Sequence, residues 1–339
     1  MLKRIVQAAA VAALALGAGS AAQAQDKVRI SFNPQIYSYM PIFLSIDKGY
    51  FKEQKLDVEY TTYGGSALSQ LPMLARGDQD MAGMVTGPGF FNQHAEGFGI
   101  KLIASLAESK KGWHDTMWVV VRKDIYDSGV IKSFADFKGR AIEGGPKGSP
   151  VYLTTLQALK SAGLTLKDVQ FSERMRAVTD VIPLFRNKAI DAMSIVEPIA
   201  GALEAEGLAV RWKPAYEVLP NYQEAFLAAN PKFLAEKRDV VKRFLIAYLK
   251  GARDVTAGGG KWTPDMRAAM KKYGKMSDEV IDKIPGPQHA GQMGKIEYES
   301  IQRQQDIWIA EGLVKVKTPL NELIDTSIID EIRKEQGIQ

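Results

Sequence analysis

The chain has 339 residues, with 44 lysines and arginines against 39 aspartates and glutamates, and it has no cysteine. The lack of cysteine excludes disulfide bonds, thiolate metal sites and thiol catalysis. Positive and negative charges are interspersed, and basic runs are short pairs such as Lys110-Lys111, which argues against a nucleic-acid partner. The length exceeds one typical hydrophobic core and predicts two lobes.

The first 24 residues have the pattern of a secretory signal peptide. Lys3 and Arg4 precede an apolar run at 5–16, and Ala22-Gln23-Ala24 is a small-x-small cleavage site. The run is too short to span a hydrocarbon layer of about 30 Å. We expect cleavage after Ala24 and export to the periplasm, with an uncleaved anchor helix as the alternative. Cleavage would leave 42 basic and 39 acidic residues, a formal charge of +3.

The rest of the chain alternates between strand and helix patterns. Predicted strands occupy residues 28–32, 56–62, 80–85, 100–105, 116–122 and 192–196. Predicted helices occupy 41–49, 66–76, 90–96, 151–162 and 181–186, and the chain from Pro231 onward is mostly helical. Such alternation is typical of parallel sheets covered by helices, so the predicted fold class is α/β.

Two segments resemble each other weakly. In residues 74–82 and again in 185–193, a helix ends at a residue that tolerates the left-handed conformation, and a strand follows an aspartate. The similarity is either chance or the mark of two lobes, each with its own strand–helix–strand unit.

Glycine followed by serine opens two of the predicted helices. Gly65-Ser66 opens the helix at 66–76, and Gly148-Ser149 opens the helix at 151–162, with proline at its first position. Backbone N–H groups at a helix start suit an anionic or polar ligand. The second segment is no P-loop, because no Lys-Ser or Lys-Thr follows Gly148. It is either part of a ligand cradle or an ordinary strand-to-helix turn.

Further polar and aromatic candidates lie at the ends of the predicted strands. Ligands of open α/β sheets bind beyond the carboxyl ends of the strands, which makes these side chains candidates for ligand contact. They are Asn33, Gln35, Tyr37, Tyr39, Thr86, Trp113 and His114. Each aromatic ring either faces the ligand or packs in the core. Arg176 could pair with a ligand anion through two hydrogen bonds, or it is a solvated surface arginine.

The order of these pieces resembles the periplasmic solute-binding proteins of the nitrate, sulfonate, taurine and thiamine-precursor group, which serve ABC importers. The resemblance rests on the helix, glycine stop and strand at 41–59, on Tyr63-Gly64-Gly65-Ser66-Ala67, and on residues 76–82. It implies a type II two-lobe fold with the ligand in the cleft between mostly parallel sheets.

The same resemblance sets the lobe boundaries. Residues 25–118 and 217–339 would form the first lobe and residues 119–216 the second. The chain would cross between lobes near Trp118–Arg122 and Arg211–Glu217, and the C-terminal helices would pack on the first lobe.

Glu197-Pro198 follows a predicted strand. Members of the resembled group often carry an aromatic residue, an acid and a proline here, with the acid near the ligand. This chain has Val196 in the aromatic position, which leaves the stacking role in doubt. Glu197 either contacts the ligand or forms a salt bridge at the hinge.

Catalytic motifs are absent from the sequence. The three histidines lie far apart, and the chain has neither a His-Glu-x-x-His nor a Gly-x-Ser-x-Gly motif. The branch of the resembled group that makes the thiamine pyrimidine depends on a cysteine-rich motif that this chain lacks. We therefore expect a binding protein rather than an enzyme, without metal or cofactor.

The predicted function is capture of a small organic molecule and its delivery to the membrane permease of an ABC transporter. Organic sulfonates, carboxylates and heterocycles rank above nitrate, because an inorganic anion needs neither aromatic rings nor an acid. We expect a monomer. An exported enzyme or sensor subunit on the same two-lobe fold is the alternative.

Overall fold

The computed structural model describes residues 25–113, 115–287 and 291–338. The predicted signal peptide and His114 lie outside the described residues. No helix in the described ranges combines the length and apolar character needed to cross a membrane.

Ten strands form two sheets. They are β1 (Asp26–Phe32), β2 (Leu56–Thr62), β3 (Met81–Met84), β4 (Lys101–Ser109), β5 (Met117–Arg122), β6 (Ala141–Glu143), β7 (Gln170–Ser172), β8 (Ala192–Val196), β9 (Ala209–Pro214) and β10 (Tyr222–Ala229). The first sheet has the order β2-β1-β3-β10-β4, and the second has the order β7-β6-β8-β5-β9.

The two sheets share one topology. In the first, β1 pairs in parallel with β2 and β3, while β10 runs antiparallel to β3 and β4. In the second, β6 pairs in parallel with β7 and β8, while β5 runs antiparallel to β8 and β9. Each sheet thus has a single reversed strand, fourth in its order. The predicted mostly parallel α/β architecture is confirmed.

Fifteen helices in the described ranges cover these sheets. They are α1 (Met40–Asp47), α2 (Tyr50–Glu53), α3 (Leu71–Arg76), α4 (Pro88–Asn92), α5 (Lys123–Asp127), α6 (Pro150–Ser161), α7 (Val181–Arg186), α8 (Ile199–Ala205), α9 (Pro231–Glu236), α10 (Arg238–Ala257), α11 (Pro264–Lys272), α12 (Asp278–Ile281), α13 (Tyr298–Ala310), α14 (Leu320–Leu323) and α15 (Ser327–Glu335). Short 3-10 turns lie at Tyr37–Tyr39, Ala67–Gln70, Phe134–Phe137, Leu166–Asp168, Val178–Asp180, Ala215–Glu217 and Gly291–Gly294.

The predicted helix at 66–76 is divided in the structure. Its first part is the 3-10 turn Ala67–Gln70, and α3 begins only at Leu71, with proline in its first turn. Because proline has no N–H to donate, it fits a helix start better than a helix interior. The predicted cradle at Gly65-Ser66 therefore precedes a short 3-10 turn rather than a long helix.

The long helix α10 packs against the first lobe. Its residues Val241, Phe244 and Tyr248 are fully buried, and the Tyr248 hydroxyl donates to the carbonyl of Ser105 in β4 at 2.9 Å. A Cβ atom on Gly251 would lie 2.1 Å from the carbonyl oxygen of Pro41. Glycine therefore lets α10 cross α1 closely, and the segment that follows the second sheet completes the first core.

Between the described strands, the chain passes from one sheet to the other twice, after β4 and after β9. We call the described residues of these links, 110–113, 115–116 and 215–221, the crossover segments. The predicted first crossover, Trp118–Arg122, lies instead within β5 and pairs with β8 and β9. The predicted second crossover, Arg211–Glu217, overlaps the end of β9 and the start of the return segment. Strand β10 was absent from the prediction. It is buried along its whole length, so no polar alternation marks it in the sequence.

Candidate ligand-binding cleft

A cleft between the two lobes holds about 600 Å³ of space, part of which is open to solvent. The first lobe contributes Asn33, Ile36, Tyr39, Tyr63, Gly64, Gly65, Ser66, Ala67 and Val85 to its wall. The second lobe contributes Pro146, Ser149, Pro150, Val151, Met175, Arg176, Val178 and Val196. Such a concave, mainly apolar cavity with a few polar groups is typical of small-molecule sites.

Two hydrogen-bonded tyrosines belong to the first lobe's wall. The Tyr63 hydroxyl donates to the carbonyl of Gly83 at 2.9 Å, so its oxygen accepts from the Tyr39 hydroxyl at 3.1 Å. A Cβ atom on Gly83 would lie 2.1 Å from the Tyr39 ring, so glycine lets that ring lie against β3. Burial raises the pKa of Tyr39 to about 12 and raises the pKa of Tyr63 as well. Both phenols are therefore neutral at physiological pH.

The amino end of α6 meets the cleft from the second lobe. The Ser149 hydroxyl accepts from the Tyr152 N–H at 3.2 Å, and Pro150 occupies the first helical position. Ser149, Pro150 and Val151 all line the cavity. Because the peptide dipoles of a 12-residue helix sum to a partial positive charge at this end, the wall favours a negative or polar ligand group.

Arg176 lies at the exposed rim of the cleft. Its backbone N–H donates to the Asp180 carboxylate at 2.8 Å, and its Nη1 donates to the carbonyl of Glu173 at 2.9 Å. Among the described residues that line the cavity, Arg176 alone carries a formal charge. It is therefore the one lining side chain able to form an ion pair with an anionic ligand.

The structure brings together five of the predicted site residues in the cavity wall. They are Asn33, Tyr39, Gly65, Ser66 and Ser149. It places Gln35, Tyr37, Thr86, Trp113, Gly148 and Glu197 outside that wall. Arg176, for which two alternatives were left open, and Val196, which stands in the position of the resembled group's aromatic residue, both line the cavity.

Most of the residues outside the wall have structural partners. The Tyr37 hydroxyl donates to the carbonyl of Pro285 at 2.6 Å, and its ring meets Trp262 edge-on. The hydroxyl of the buried Thr86 donates to Gln304, 218 residues away in sequence. The ammonium nitrogen of Lys110 lies over the Trp113 ring, 5.6 Å from the ring centroid. For Tyr37 and Trp113, the structure agrees with the alternative in which the aromatic ring packs against other residues of the protein.

Of the two alternatives for Glu197, ligand contact or a salt bridge, the structure shows the salt bridge. Its carboxylate is fully buried and accepts from Arg211 Nη1 and from the Gly201 N–H, both at 2.9 Å. Arg211 also binds Glu204, with Nη2 and Oε2 2.6 Å apart. Burial raises the pKa of Glu197, and the Arg211 charge opposes that rise. The carboxylate is therefore neutralised within the protein, and the structure gives no support for a ligand contact.

Two more buried acids lie where the chain crosses between lobes; with Glu197 they form a set that we call the hinge acids. Asp115 accepts from the Ser109 hydroxyl and from the Met117 N–H, and burial raises its pKa to about 6. Burial raises the pKa of Glu224, at the start of β10, to about 7, and the charge of Asp115 adds to that rise. The charge of Glu197 likewise raises the pKa of Asp115.

The lobes also touch outside the cavity. The Tyr37 N–H in the first lobe donates to the carbonyl of Glu197 in the second at 3.4 Å. Lys160 of α6 forms an ion pair with Glu311 after α13, and the Tyr152 ring stacks on Trp308 with centroids 6.2 Å apart. The structure is therefore a closed arrangement, with the lobes in contact on several sides of the cleft.

Several wall residues had no individual prediction. Tyr63 directly precedes the predicted Gly64-Gly65-Ser66 turn, so its position could have been inferred from that motif. Met175 and Val178 belong to an irregular segment after β7, where no periodic pattern marks which side chains face the cavity. No cluster of histidine, aspartate and glutamate suited to a metal ion occurs in the described part of the chain.

A family model described as NMT1/THI5 like matches residues 36–258. The chain belongs to the NMT1/THI5-like family. The matched range covers all of the second sheet, most strands of the first, and all the described cleft-lining residues except Asn33. A comparison with curated proteins finds no match.

Solved structures similar to this family member show the same two-lobe fold. The periplasmic aliphatic sulphonate binding protein SsuA of Escherichia coli has a TM-score of 0.70 and 19% identity, over 88% of this chain and 92% of that one. SsuA of Xanthomonas axonopodis pv. citri, bound to MOPS, has a TM-score of 0.67 and 17% identity, over 90% and 99%. The periplasmic nitrate-binding protein NrtA of Synechocystis PCC 6803 has a TM-score of 0.72 and 11% identity, over 93% and 90%. The periplasmic binding protein fold is thereby confirmed.

Proposed function

We propose that this protein is an exported solute-binding protein that captures a small organic molecule between its lobes and delivers it to an ABC importer. The observation that carries this proposal is the closed cleft, whose wall is built from two lobes that the crossover segments join. The family membership and the solute-binding proteins among the similar structures support the same proposal. We further propose that the protein binds this molecule without converting it.

The wall chemistry supports an anionic head group on an apolar or planar body. The amino end of α6 and Arg176 would face the head group, since both favour negative charge. Val85, Val151, Met175 and Val196 would contact the body, because burying apolar surface is favourable. Organic sulfonates and carboxylates fit this division better than nitrate, which has no apolar part. Glu197 is paired with Arg211 and therefore gives no reason to expect a cationic group on the ligand.

Ligand capture would proceed by closure of the lobes about the crossover segments. A ligand that contacts both walls binds the closed arrangement better than the open one, and this preference shifts the equilibrium toward closure. The permease would then distinguish loaded from empty protein by the relative position of the lobes. The signal-peptide pattern of residues 1–24 supports delivery in the periplasm, and we propose that the protein acts as a monomer.

The test is a thermal-shift screen of the mature protein, followed by titration calorimetry. The panel would hold alkanesulfonates, taurine, short carboxylates, pyrimidines and nitrate. We expect one organic anion to stabilise the protein by about 2.7 kcal/mol at a concentration of 100 times its Kd, with saturable one-to-one binding. Turnover of the bound compound, or binding of a protein or lipid with no response to any small solute, would contradict the proposal.

A further inference from the structure

Two glycines from opposite lobes meet beside the cleft. Gly87 precedes α4 in the first lobe, and Gly148 precedes Ser149 and α6 in the second. A Cβ atom on Gly87 would lie 2.2 Å from the carbonyl oxygen of Gly148. A Cβ atom on Gly148 would lie 2.9 Å from Cδ of Pro88. The two loops thus touch backbone to backbone, with no room for a side chain between them.

The two positions need glycine for different reasons. Gly148 has φ +85°, a left-handed conformation that favours glycine in any arrangement of the lobes. Gly87 has φ −163° and ψ 178°, which is extended backbone open to any residue. Within its own lobe, the atom nearest to a Cβ on Gly87 would be the flexible end of Leu68, at 3.1 Å. The obstacle to a side chain at position 87 is therefore the other lobe.

We propose that Gly87 is a positioning residue for lobe closure, required so that the lobes can meet but not for either lobe to fold. The inference rests on the proposed function, in which closure completes the binding site. Since Gly148 is bonded to Ser149, a side chain on Gly87 would hold the amino end of α6 away from the first lobe's wall. The missing side chain thus sets how far the cleft can close.

The absence of cysteine allows a test that needs no ligand. Lys160→Cys and Glu311→Cys replace the interlobe ion pair with the only two thiols of the chain, and a short bismaleimide joins them only when the lobes are closed. We expect Gly87→Ala in this background to lower the crosslinking rate at least about tenfold, the equivalent of about 1.4 kcal/mol against closure. The parent pair should crosslink readily.

Gly89→Ala is the matched control. Gly89 lies two residues further on, in α4, and a Cβ atom there would lie 3.6 Å from Cδ1 of Leu71, an ordinary contact within the lobe. We expect this variant to crosslink at the parent rate. Urea unfolding of the three proteins should give similar midpoints. Equal rates for Gly87→Ala and Gly89→Ala would overturn the proposal, and so would a parent pair that does not crosslink at all.

A second comparison tests whether Gly87→Ala slows crosslinking by crowding Leu68 within its own lobe or by meeting the other lobe. Leu68→Ala removes the contact within the lobe, so Gly87→Ala is also made in that background and compared with Leu68→Ala alone. Slow crosslinking of the folded double variant supports the interlobe contact, and crosslinking at the Leu68→Ala rate overturns it. A panel of solutes that all fail to bind, together with slow crosslinking of Gly87→Ala, would contradict the proposed function while leaving the closure contact in place.

Discussion

The cleft and the hinge of this protein use charge in opposite ways. Among the described lining residues of the cleft, Arg176 alone is charged, and it lies at the rim. The hinge acids Asp115, Glu197 and Glu224 are at most 3% exposed. The polar groups of the cleft are instead neutral hydroxyls, an amide and the amino end of α6, which can meet a ligand without carrying a buried charge.

This difference between cleft and hinge shows how the fold accommodates its buried acids. Taking an ionised carboxylate out of water is costly unless it is paired or keeps its proton. Glu197 follows the first course through Arg211, whereas Asp115 and Glu224 hold their protons to unusually high pH. Charge near the hinge therefore serves the structure and its response to pH, while ligand recognition falls to dipoles, hydroxyls and the rim arginine.

The substitution Glu197→Gln is the strongest test of this contrast between the cleft and the hinge. Removing one partner of a buried ion pair leaves the other uncompensated, so we expect a loss of about 3 kcal/mol in the free energy of unfolding, at the low end because Arg211 keeps Glu204. Ligand affinity should hold. Urea denaturation and calorimetry measure the two quantities.

Glu217→Gln is the control for that substitution. Glu217 pairs with Lys213 at 2.9 Å, but both side chains are 35% exposed, so the expected loss is below about 0.5 kcal/mol. A large affinity loss in Glu197→Gln with unchanged stability would move Glu197 from the hinge to the ligand site.

The pH dependence of unfolding tests the other two hinge acids. Their folded-state pKa values, about 6 for Asp115 and about 7 for Glu224, exceed their ordinary values, so the native state holds protons that the unfolded chain releases. Their contribution to stability is therefore fully present below about pH 4 and is lost as pH rises to 7. Either group would account for a decline of up to about 3 kcal/mol, and the two do not add, since each repels the other.

Glu224→Gln isolates this effect. The amide cannot ionise, so we expect a flatter stability profile between pH 5 and 8 than in the parent, measured by urea denaturation at each pH. Glu217→Gln again serves as the exposed control and should keep the parent slope. A parent stability that rises steadily across this range would show that the hinge acids are ionised when folded.

The sequence predicts the fold well because its signals are local. Proline at a helix start, glycine stops and the strand–helix alternation each act over a few residues, and they indicate the α/β architecture, β1 to β3 and α6. The same local signals fail for β10, which is buried on both faces and carries alanines in place of β-branched residues. The resemblance placed the first crossover at Trp118–Arg122, inside β5, and local signals could not correct it, because a strongly β-prone run does not reveal to which sheet it belongs.

The cleft is less accessible to sequence reasoning because it depends on distant partners. Ser149 was predicted from its capping pattern, and the structure places it in the wall. Glu197 was a candidate through the resemblance, with a salt bridge as the alternative, and nothing local shows that Arg211, 14 residues later on β9, binds its carboxylate. Thr86 was a candidate because it follows a strand, and nothing local indicates its partner Gln304, 218 residues away. Polar residues at strand ends mark a cleft, but only the fold shows which of them are already paired.

Arg176→Gln sharpens the comparison from the side of the cleft. If the rim arginine meets the anionic head group, its loss removes a charge-assisted hydrogen bond worth about 1.5–3 kcal/mol, or about ten- to a hundredfold in affinity. The free energy of unfolding should change little, because the side chain is exposed. Calorimetry with the best organic anion of the screen measures the affinity, and its salt dependence should weaken too.

Arg174→Gln is the matched control for the rim arginine. Arg174 lies two residues away, is also exposed, and is not among the residues that line the cavity. Equal affinity losses in the two variants would mean that Arg176 acts through the general positive field of the lobe. No loss in either would assign anion recognition to the amino end of α6.

The smallest expected effect concerns the two serines that open the cradles. Ser149→Ala removes the cap of the 12-residue helix α6 and should lower the free energy of unfolding by about 1 kcal/mol. Ser66→Ala should cost less, about 0.5 kcal/mol, because Ser66 accepts from Leu68 at 3.3 Å and caps only a four-residue 3-10 turn. Capping alone changes stability, so an affinity loss larger than the stability loss would indicate that the hydroxyl itself meets the ligand. That excess is expected at Ser149, where the helix dipole already favours a negative group, and its appearance at Ser66 alone would place the head group against the first lobe.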